Sequence, residues 1–203
     1  MKFRELRDHQ DDETVLDGPK FVKVLGQLSW HQLGRPEPDP AKGPVVGILI
    51  DVDAINVARP EAEAYKPEAA GFNDVLQRVV KAIVGQAWCE PTAVFQSIDD
   101  DLAEMVSERL GFRVCTAHDN ALRIPHMIVE GLRTLEWPGI AELVVVSSNK
   151  RLAVLAEEAR LHGKAFSVAR FVEHPAPELE AVADRVILLG DWVLGTAPSE
   201  IDS

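Results

Sequence analysis

The chain has 203 residues, of which 46% are hydrophobic and 27% are charged, and its formal net charge is −12 at pH 7. This composition is typical of one globular domain and excludes a chain that is disordered over most of its length. The negative charge argues against a general polyanion binder, because nonspecific affinity for nucleic acids depends on Lys and Arg. The longest apolar run, residues 45–50, is too short to span a membrane, so we expect a cytoplasmic protein with no membrane partner.

The first 44 residues differ from the rest and predict a helical extension followed by a linker. An acidic stretch precedes apolar residues at helical spacing, namely Phe21, Val24, Leu25, Leu28 and Leu33. Residues 35–40 alternate proline with charge, which predicts an extended linker. We expect the helix at 21–33 either to pack on its own domain or to dock a protein partner.

From residue 45 onward, strand and helix patterns alternate. Strands are predicted at 45–50, 92–98, 112–116, 143–147, 165–171 and 186–189, and helices at 72–83, 102–110, 122–135, 152–161 and 179–183. Such regular alternation predicts a mainly parallel sheet with helices on both faces, which is a three-layered α/β/α fold. We therefore expect one domain over residues 45–195 and a short C-terminal tail at 196–203.

Two carboxylates follow the most apolar strand of the chain. Asp51 ends that strand directly, and Asp53 comes two residues later. In open parallel sheets, ligands bind beyond the carboxyl ends of the strands. Two carboxylates at such a place repel each other unless a cation lies between them, which favours Mg²⁺ or Mn²⁺. The alternative interpretation is a helix N-cap or a solvated turn.

The residues around these aspartates resemble a known family. Residues 48–56, Ile-Leu-Ile-Asp-Val-Asp-Ala-Ile-Asn, resemble the opening strand motif of NYN domains, which are members of the PIN-like nuclease superfamily. Residues 143–152 and 161–164 resemble the later NYN segment, where a strand ends in Ser-x-Asp-x-Asp and the next helix ends in Gly-Lys. Residues 177–189 resemble the closing helix and strand. The resemblance covers about residues 45–191 and implies the PIN-like/NYN fold.

In NYN domains, clustered acids bind one or two divalent cations that activate water for attack on an RNA phosphodiester. The resemblance therefore implies a metal-dependent endoribonuclease with Asp51 and Glu130 as catalytic residues. Glu130 matches the acid that the family presents from the helix between the two motifs. The implied ligands of Mg²⁺ or Mn²⁺ are Asp51, Asp53, Glu130 and Asn149, and the implied phosphate contacts are Ser147, Ser148, Lys150 and Arg151. No nucleotide cofactor is predicted, because no glycine-rich phosphate loop occurs.

The sequence departs from the family pattern at two ligand positions. Asn149 and Arg151 stand where the family has aspartates, and the motif asparagine is Ala54, with Asn56 displaced by two residues. Asparagine supplies an oxygen without charge, and arginine cannot bind a cation. The residues therefore predict one weakly held metal and weak or lost activity. The alternative is a silenced NYN-fold binding or scaffold protein, in which Arg151 replaces the cation and the 21–33 helix docks a protein partner.

A third interpretation belongs to another class of enzyme. Asp51 and Asp53 after an apolar strand also resemble the nucleophile motif of haloacid dehalogenase phosphohydrolases. In that interpretation Ser147 or Ser148 supplies the phosphate-binding hydroxyl, Lys164 the lysine, and Gly190-Asp191 the late acidic motif. The order of these motifs fits, but Ile55 and Val193 stand where that family has other residues.

Overall fold

The structure is a computed structural model that describes residues 45–58, 72–85, 89–96, 98, 100–108, 110–117 and 119–194. The predicted helix at 21–33, the linker at 35–40 and the tail at 196–203 lie outside these residues. None of the helices in the described ranges is both long enough and apolar enough to cross a membrane.

The described residues form six strands and six α-helices. The strands are β1 (Val45–Asp51), β2 (Cys89–Phe95), β3 (Arg113–Thr116), β4 (Ile140–Val146), β5 (Ala165–Phe171) and β6 (Arg185–Leu189). The α-helices are α1 (Val52–Ala58), α2 (Phe72–Val84), α3 (Asp100–Glu108), α4 (Asn120–Glu136), α5 (Val154–Leu161) and α6 (Pro177–Glu180). Two 3₁₀ turns cover Lys150–Ala153 and Asp191–Leu194.

The strands form one parallel sheet in the order β3-β2-β1-β4-β5-β6. The chain builds outward from β1 to β3, then crosses back to β4 on the other side of β1. The segments that follow β1 and β4 lead to opposite faces of the sheet, so the carboxyl ends of these two strands form a switch point. Open α/β sheets bind ligands at such a switch point. Asp51 is the last residue of β1 and lies at this point.

The sheet is covered on both faces, which confirms the predicted three-layered α/β/α architecture. One core contains apolar residues of α1, α2 and α3, and the other contains those of α4, α5 and α6. Successive strand residues point to opposite faces, so Ile48 and Ile50 of β1 enter the first core and Leu49 enters the second. Because both faces of β1 are buried, its sequence is apolar at nearly every position.

The bounds of the predicted elements differ from the observed ones by up to three residues at an end, and β2 and α1 differ most from the prediction. β2 begins at Cys89 rather than at residue 92, and Pro91 lies inside it. β3 pairs only with Thr92–Phe95, so Pro91 precedes the part of β2 that has neighbours on both sides and its missing N–H is tolerated. α1 begins at Val52, immediately after β1, and is not among the predicted helices. The apolar pattern of this helix in the sequence is short, because only Val52 and Ile55 are buried.

Helix α4 packs closely on the central strands and passes over Gly47 of β1. A Cβ at Gly47 would overlap the methyl group of Thr134, so glycine at this position permits the close approach. The amino-terminal part of the same helix reaches the carboxyl end of β1, where it contributes Arg123 to the pocket at the switch point.

Candidate functional site

The switch point contains a pocket of about 260 Å³. The carboxyl ends of β1, β4 and β5 form its floor, and residues of α1 and α4 contribute to its walls. The polar residues that line it are Asp51, Asp53, Arg123, Ser147, Ser148, Asn149, Arg170 and His174. The structure thus brings together five of the residues that the sequence predicts at the site, namely Asp51, Asp53, Ser147, Ser148 and Asn149.

Asp51 is the most buried carboxylate of the pocket, with 5% of its side chain exposed. Arg123 Nη1 lies 3.0 Å from its Oδ1, and the Ser147 hydroxyl donates to its Oδ2 at 2.9 Å. Burial raises the pKa of Asp51 above the ordinary value of 3.8, while Arg123 and the Ser147 hydrogen bond oppose this rise. Both carboxylate oxygens of Asp51 therefore already have a donor.

Arg123 also contacts the second carboxylate of the pocket. The same Nη1 atom forms an ion pair with Asp53, whose side chain is 28% exposed. One guanidinium thus lies between two carboxylates and offsets their mutual repulsion. We predicted that a cation or Arg151 would do this, but the side chain that does so is Arg123. Arg151 is exposed at the start of the 3₁₀ turn.

Asn149 closes the loop after β4. Its backbone N–H donates to the Ser147 hydroxyl at 3.1 Å, and its side-chain Oδ1 accepts from the backbone N–H of Arg151 at 3.0 Å. The Asn149 oxygen thereby caps the 3₁₀ turn. Asn149 therefore has a local structural role, which the resemblance to NYN domains did not predict.

Glu130 lies elsewhere on α4. It forms ion pairs with Arg113 of β3 at 2.9 Å and with Arg133 at 2.5 Å. Glu130 is not among the described residues that line the pocket. Arg123 precedes Glu130 by seven residues, or two helical turns, so the two side chains share a face of α4 at different heights. The predicted pairing of Asp51 with Glu130 is thus replaced by a pairing of Asp51 with Arg123.

The contacts at the pocket do not fit the donor set of a divalent cation. Asp51 and Asp53 face Arg123, Glu130 faces two arginines, and the oxygen of Asn149 caps a turn. Among the described residues, no cluster of three or more His, Cys, Asp or Glu is placed to hold a metal ion. The site for Mg²⁺ or Mn²⁺ thus stays a prediction of the family resemblance alone, and no chemical step is derived from it.

Sequence reasoning missed three polar residues of the pocket: Arg123, Arg170 and His174. Arg170 donates to Glu180 at 2.6 Å and to the carbonyls of Phe171 and Val172, so it fixes the loop after β5. A signal for Arg170 and His174 was available, because both lie near the carboxyl end of a predicted strand. Arg123 lies in the early turns of a helix and gave no comparable signal.

The residues of the phosphohydrolase interpretation are spread over both edges of the sheet. Lys164 precedes β5, and its ammonium group donates to the carbonyls of Leu135 and Trp137. Leu135 lies in the last turn of α4, and Trp137 directly follows this helix, before the start of β4. Lys164 is therefore at the amino edge of the sheet, whereas Asp51 is at the carboxyl edge.

The fold is similar to that of a protein of unknown function from Vibrio parahaemolyticus, with a TM-score of 0.54. The two chains are 16% identical, and the match covers 73% of this chain and 94% of the other. At this level of identity the similarity shows the fold alone. No protein-family model matches the chain, and no curated protein matches it.

Proposed function

We propose that the chain is an NYN-type, PIN-like domain protein that binds RNA without cutting it. The observation that carries this proposal is the guanidinium of Arg123, which lies between Asp51 and Asp53. A nuclease of this type needs a divalent cation beside its acids to lower the pKa of the attacking water. A resident guanidinium supplies positive charge but no site for a water ligand.

The proposed RNA surface is the loop that follows β4. Ser148, Lys150 and Arg151 are exposed there, next to the pocket. A hydroxyl and two cations at the amino end of a helical segment are suited to phosphate oxygens. The rest of the chain is acidic, so RNA is expected to bind at this local surface and weakly.

This proposal predicts a shallow salt dependence. If Lys150 and Arg151 each neutralise one phosphate of a single strand, the logarithm of the affinity falls with that of the salt concentration with a slope of about −1.4. The alternative, that the segment at 21–33 docks a protein partner, stays a prediction.

The test is fluorescence anisotropy with labelled single-stranded RNA, together with a gel assay for cleavage in Mg²⁺ and in Mn²⁺. Replacing both cations, Lys150→Ala with Arg151→Ala, should abolish most of the binding and its salt dependence. Lys81→Ala is the matched control, because Lys81 is exposed on α2, away from the pocket. Wild-type protein should leave the RNA intact.

Two results would contradict the proposal. The first is equal affinity in the double variant and the Lys81→Ala control, which would show that the loop after β4 does not bind RNA. The second is metal-dependent cleavage that disappears in Asp51→Asn, which would show an active nuclease site despite Arg123.

A further inference from the structure

The pocket at the switch point has a polar side and an apolar side. Asp51 and Ser147 bond to each other on the side of α4, which also contacts Asp51. Val146 and Phe171, which also line the pocket, belong to the core on the side of α1, because successive strand residues point to opposite faces. Val57 of α1 lines this apolar side and is 59% exposed, so its side chain is open to a ligand. The arrangement suits a flat ligand with a polar edge and an apolar face.

The size and the charge of the pocket favour a small ligand without a net charge. Its volume of about 260 Å³ is below the range of about 300–1,000 Å³ that is typical of drug-sized ligands. Asp51 and Asp53 pair with Arg123, and Arg170 pairs with Glu180, so no arginine of the pocket lacks a carboxylate. Two carboxylates at one wall would repel a phosphate group. A single nucleobase, which is flat, uncharged and polar at its rim, meets these conditions.

Arg123 has a pair of donors that its ion pairs do not use. The contacts with Asp51 and Asp53 are made by Nη1, and the buried Nε has no hydrogen-bond partner among the described residues. None of the hydrogen bonds or ion pairs within the described ranges uses Nη2 of Arg123 either. Nε and Nη2 lie on the same side of the planar guanidinium, where they form a fork for two acceptors in one plane. Among the bases, guanine offers such a pair in O6 and N7, and arginine binds it in this bidentate way.

Asp53 provides an acceptor next to this fork. Its ion pair with Arg123 uses Oδ2, and in the described part of the chain its Oδ1 has no partner. Because Asp53 is bound at Nη1, the atom Nη2 lies between Nε and the carboxylate. Guanine carries N7, O6 and its N1–H group in this order around its rim, which matches Nε, Nη2 and Oδ1. Adenine has an amino group in place of O6, and the pyrimidines have no N7, so neither fits all three atoms.

We propose that the pocket binds one unstacked guanine of the RNA, with O6 and N7 on Arg123, the N1–H group on Asp53 and one face on Val57. The inference rests on the proposed RNA function for the source of the guanine, since a free guanine nucleotide has the same rim. Ser148 belongs both to the lining of the pocket and to the loop after β4 that we propose for phosphate. A strand whose phosphate lies on this loop can therefore place a base in the pocket.

The first test measures the affinity of the full chain for GMP, AMP, CMP and UMP by ligand-observed NMR titration, because these nucleotides share their sugar and phosphate. GMP should bind about tenfold more tightly than each of the others. Replacing N7 of GMP by C–H, in 7-deaza-GMP, should lower the affinity about tenfold with the protein unchanged. Asp53→Ala should remove the preference for GMP. Asp74→Ala is the matched control and should keep it, since Asp74 is 66% exposed on α2. Equal affinities for the four nucleotides, or an undiminished affinity for 7-deaza-GMP, would overturn the proposal.

The second test identifies the source of the guanine and separates this proposal from the RNA function. Fluorescence anisotropy compares a labelled oligocytidine strand with the same strand carrying one central guanosine, which should bind about tenfold more tightly. Lys150→Ala with Arg151→Ala should weaken the binding of both strands and leave their ratio unchanged. Equal binding of the two strands, with GMP still preferred among the nucleotides, would overturn the RNA source and indicate a free guanine nucleotide. No preference for guanine in either assay, with both strands weakened in the double variant, would overturn the guanine pocket and leave the RNA function intact.

Discussion

Replacing Arg123 by methionine tests how much the guanidinium contributes to the fold. Methionine keeps most of the apolar stem of arginine and removes its charge. Asp51 then loses an ion-pair partner, although only 5% of its side chain is exposed to water. Breaking a buried ion pair by removing one partner costs about 3–5 kcal/mol. Arg123 and Asp53 are 15% and 28% exposed, so hydration recovers part of this cost and we expect a loss of about 3 kcal/mol for Arg123→Met.

Urea unfolding followed by circular dichroism measures this loss, with the slope of the transition as a check that the unfolded state is unchanged. Asp51→Asn is the informative companion. It keeps an acceptor for Ser147 and leaves Arg123 paired with Asp53, so it should cost less than about 1 kcal/mol. The double variant should recover much of the stability that Arg123→Met loses. A loss below about 0.5 kcal/mol in Arg123→Met would refute the reasoning.

The pH dependence of the same variants has a definite sign. The pKa of Asp51 is raised in the folded chain above the ordinary 3.8, so between these values the folded chain binds more protons than the unfolded chain. The contribution of Asp51 to stability is therefore fully present below 3.8 and is lost as the pH rises through the folded pKa. The free energy of unfolding of the wild type, minus that of Asp51→Asn, should decrease as the pH rises through this window. In Arg123→Met the fall should extend to higher pH, because the group that lowers the pKa is gone.

Three further changes test other parts of the structure. Gly47→Ala should destabilise the domain by about 2 kcal/mol or more in urea unfolding, because its Cβ would overlap Thr134 of α4; an effect near zero would contradict the close approach. Lys164→Met should cost about 2 kcal/mol through loss of its bonds to the carbonyls of Leu135 and Trp137, and unchanged stability would show that water replaces the ammonium group. Burial raises the pKa of the Cys115 thiol from 9.0 to about 12, so at pH 8 iodoacetamide should alkylate it about a thousandfold more slowly than in the unfolded chain, as followed by mass spectrometry; equal rates would contradict its burial.

The fold was largely predictable from the sequence because the sheet is parallel and buried on both faces. Such strands are continuous apolar runs, and each is separated from the next by a helix with its own stripe and stop signal. The strand at Ala165–Phe171 has the bounds that its pattern predicts. Errors arose where the signal was short or interrupted, as at the seven-residue helix α1 and at Pro91 in β2.

The site was less predictable, for a physical reason. The position of a residue that follows a strand can be predicted from the sequence, because every parallel strand ends at the same edge of the sheet. Asp51, Asp53 and Ser147 were predicted in this way. Arg123 reaches the pocket from a helix, and its position depends on how α4 crosses the sheet at Gly47. Glu130 lies on the same helix but faces Arg113. Which residue of a helix meets a strand end is decided by tertiary packing, and no local pattern encodes it.

The measurement that tests the central claim most directly is a calorimetric titration of the wild-type protein with Mn²⁺ and with Mg²⁺. If the guanidinium of Arg123 replaces the cation between Asp51 and Asp53, neither ion should bind saturably at millimolar concentrations, and Asp51→Asn should give the same heats as wild type. Saturable binding to wild type that is lost in Asp51→Asn would contradict the account, because the two carboxylates would then prefer a metal ion to Arg123.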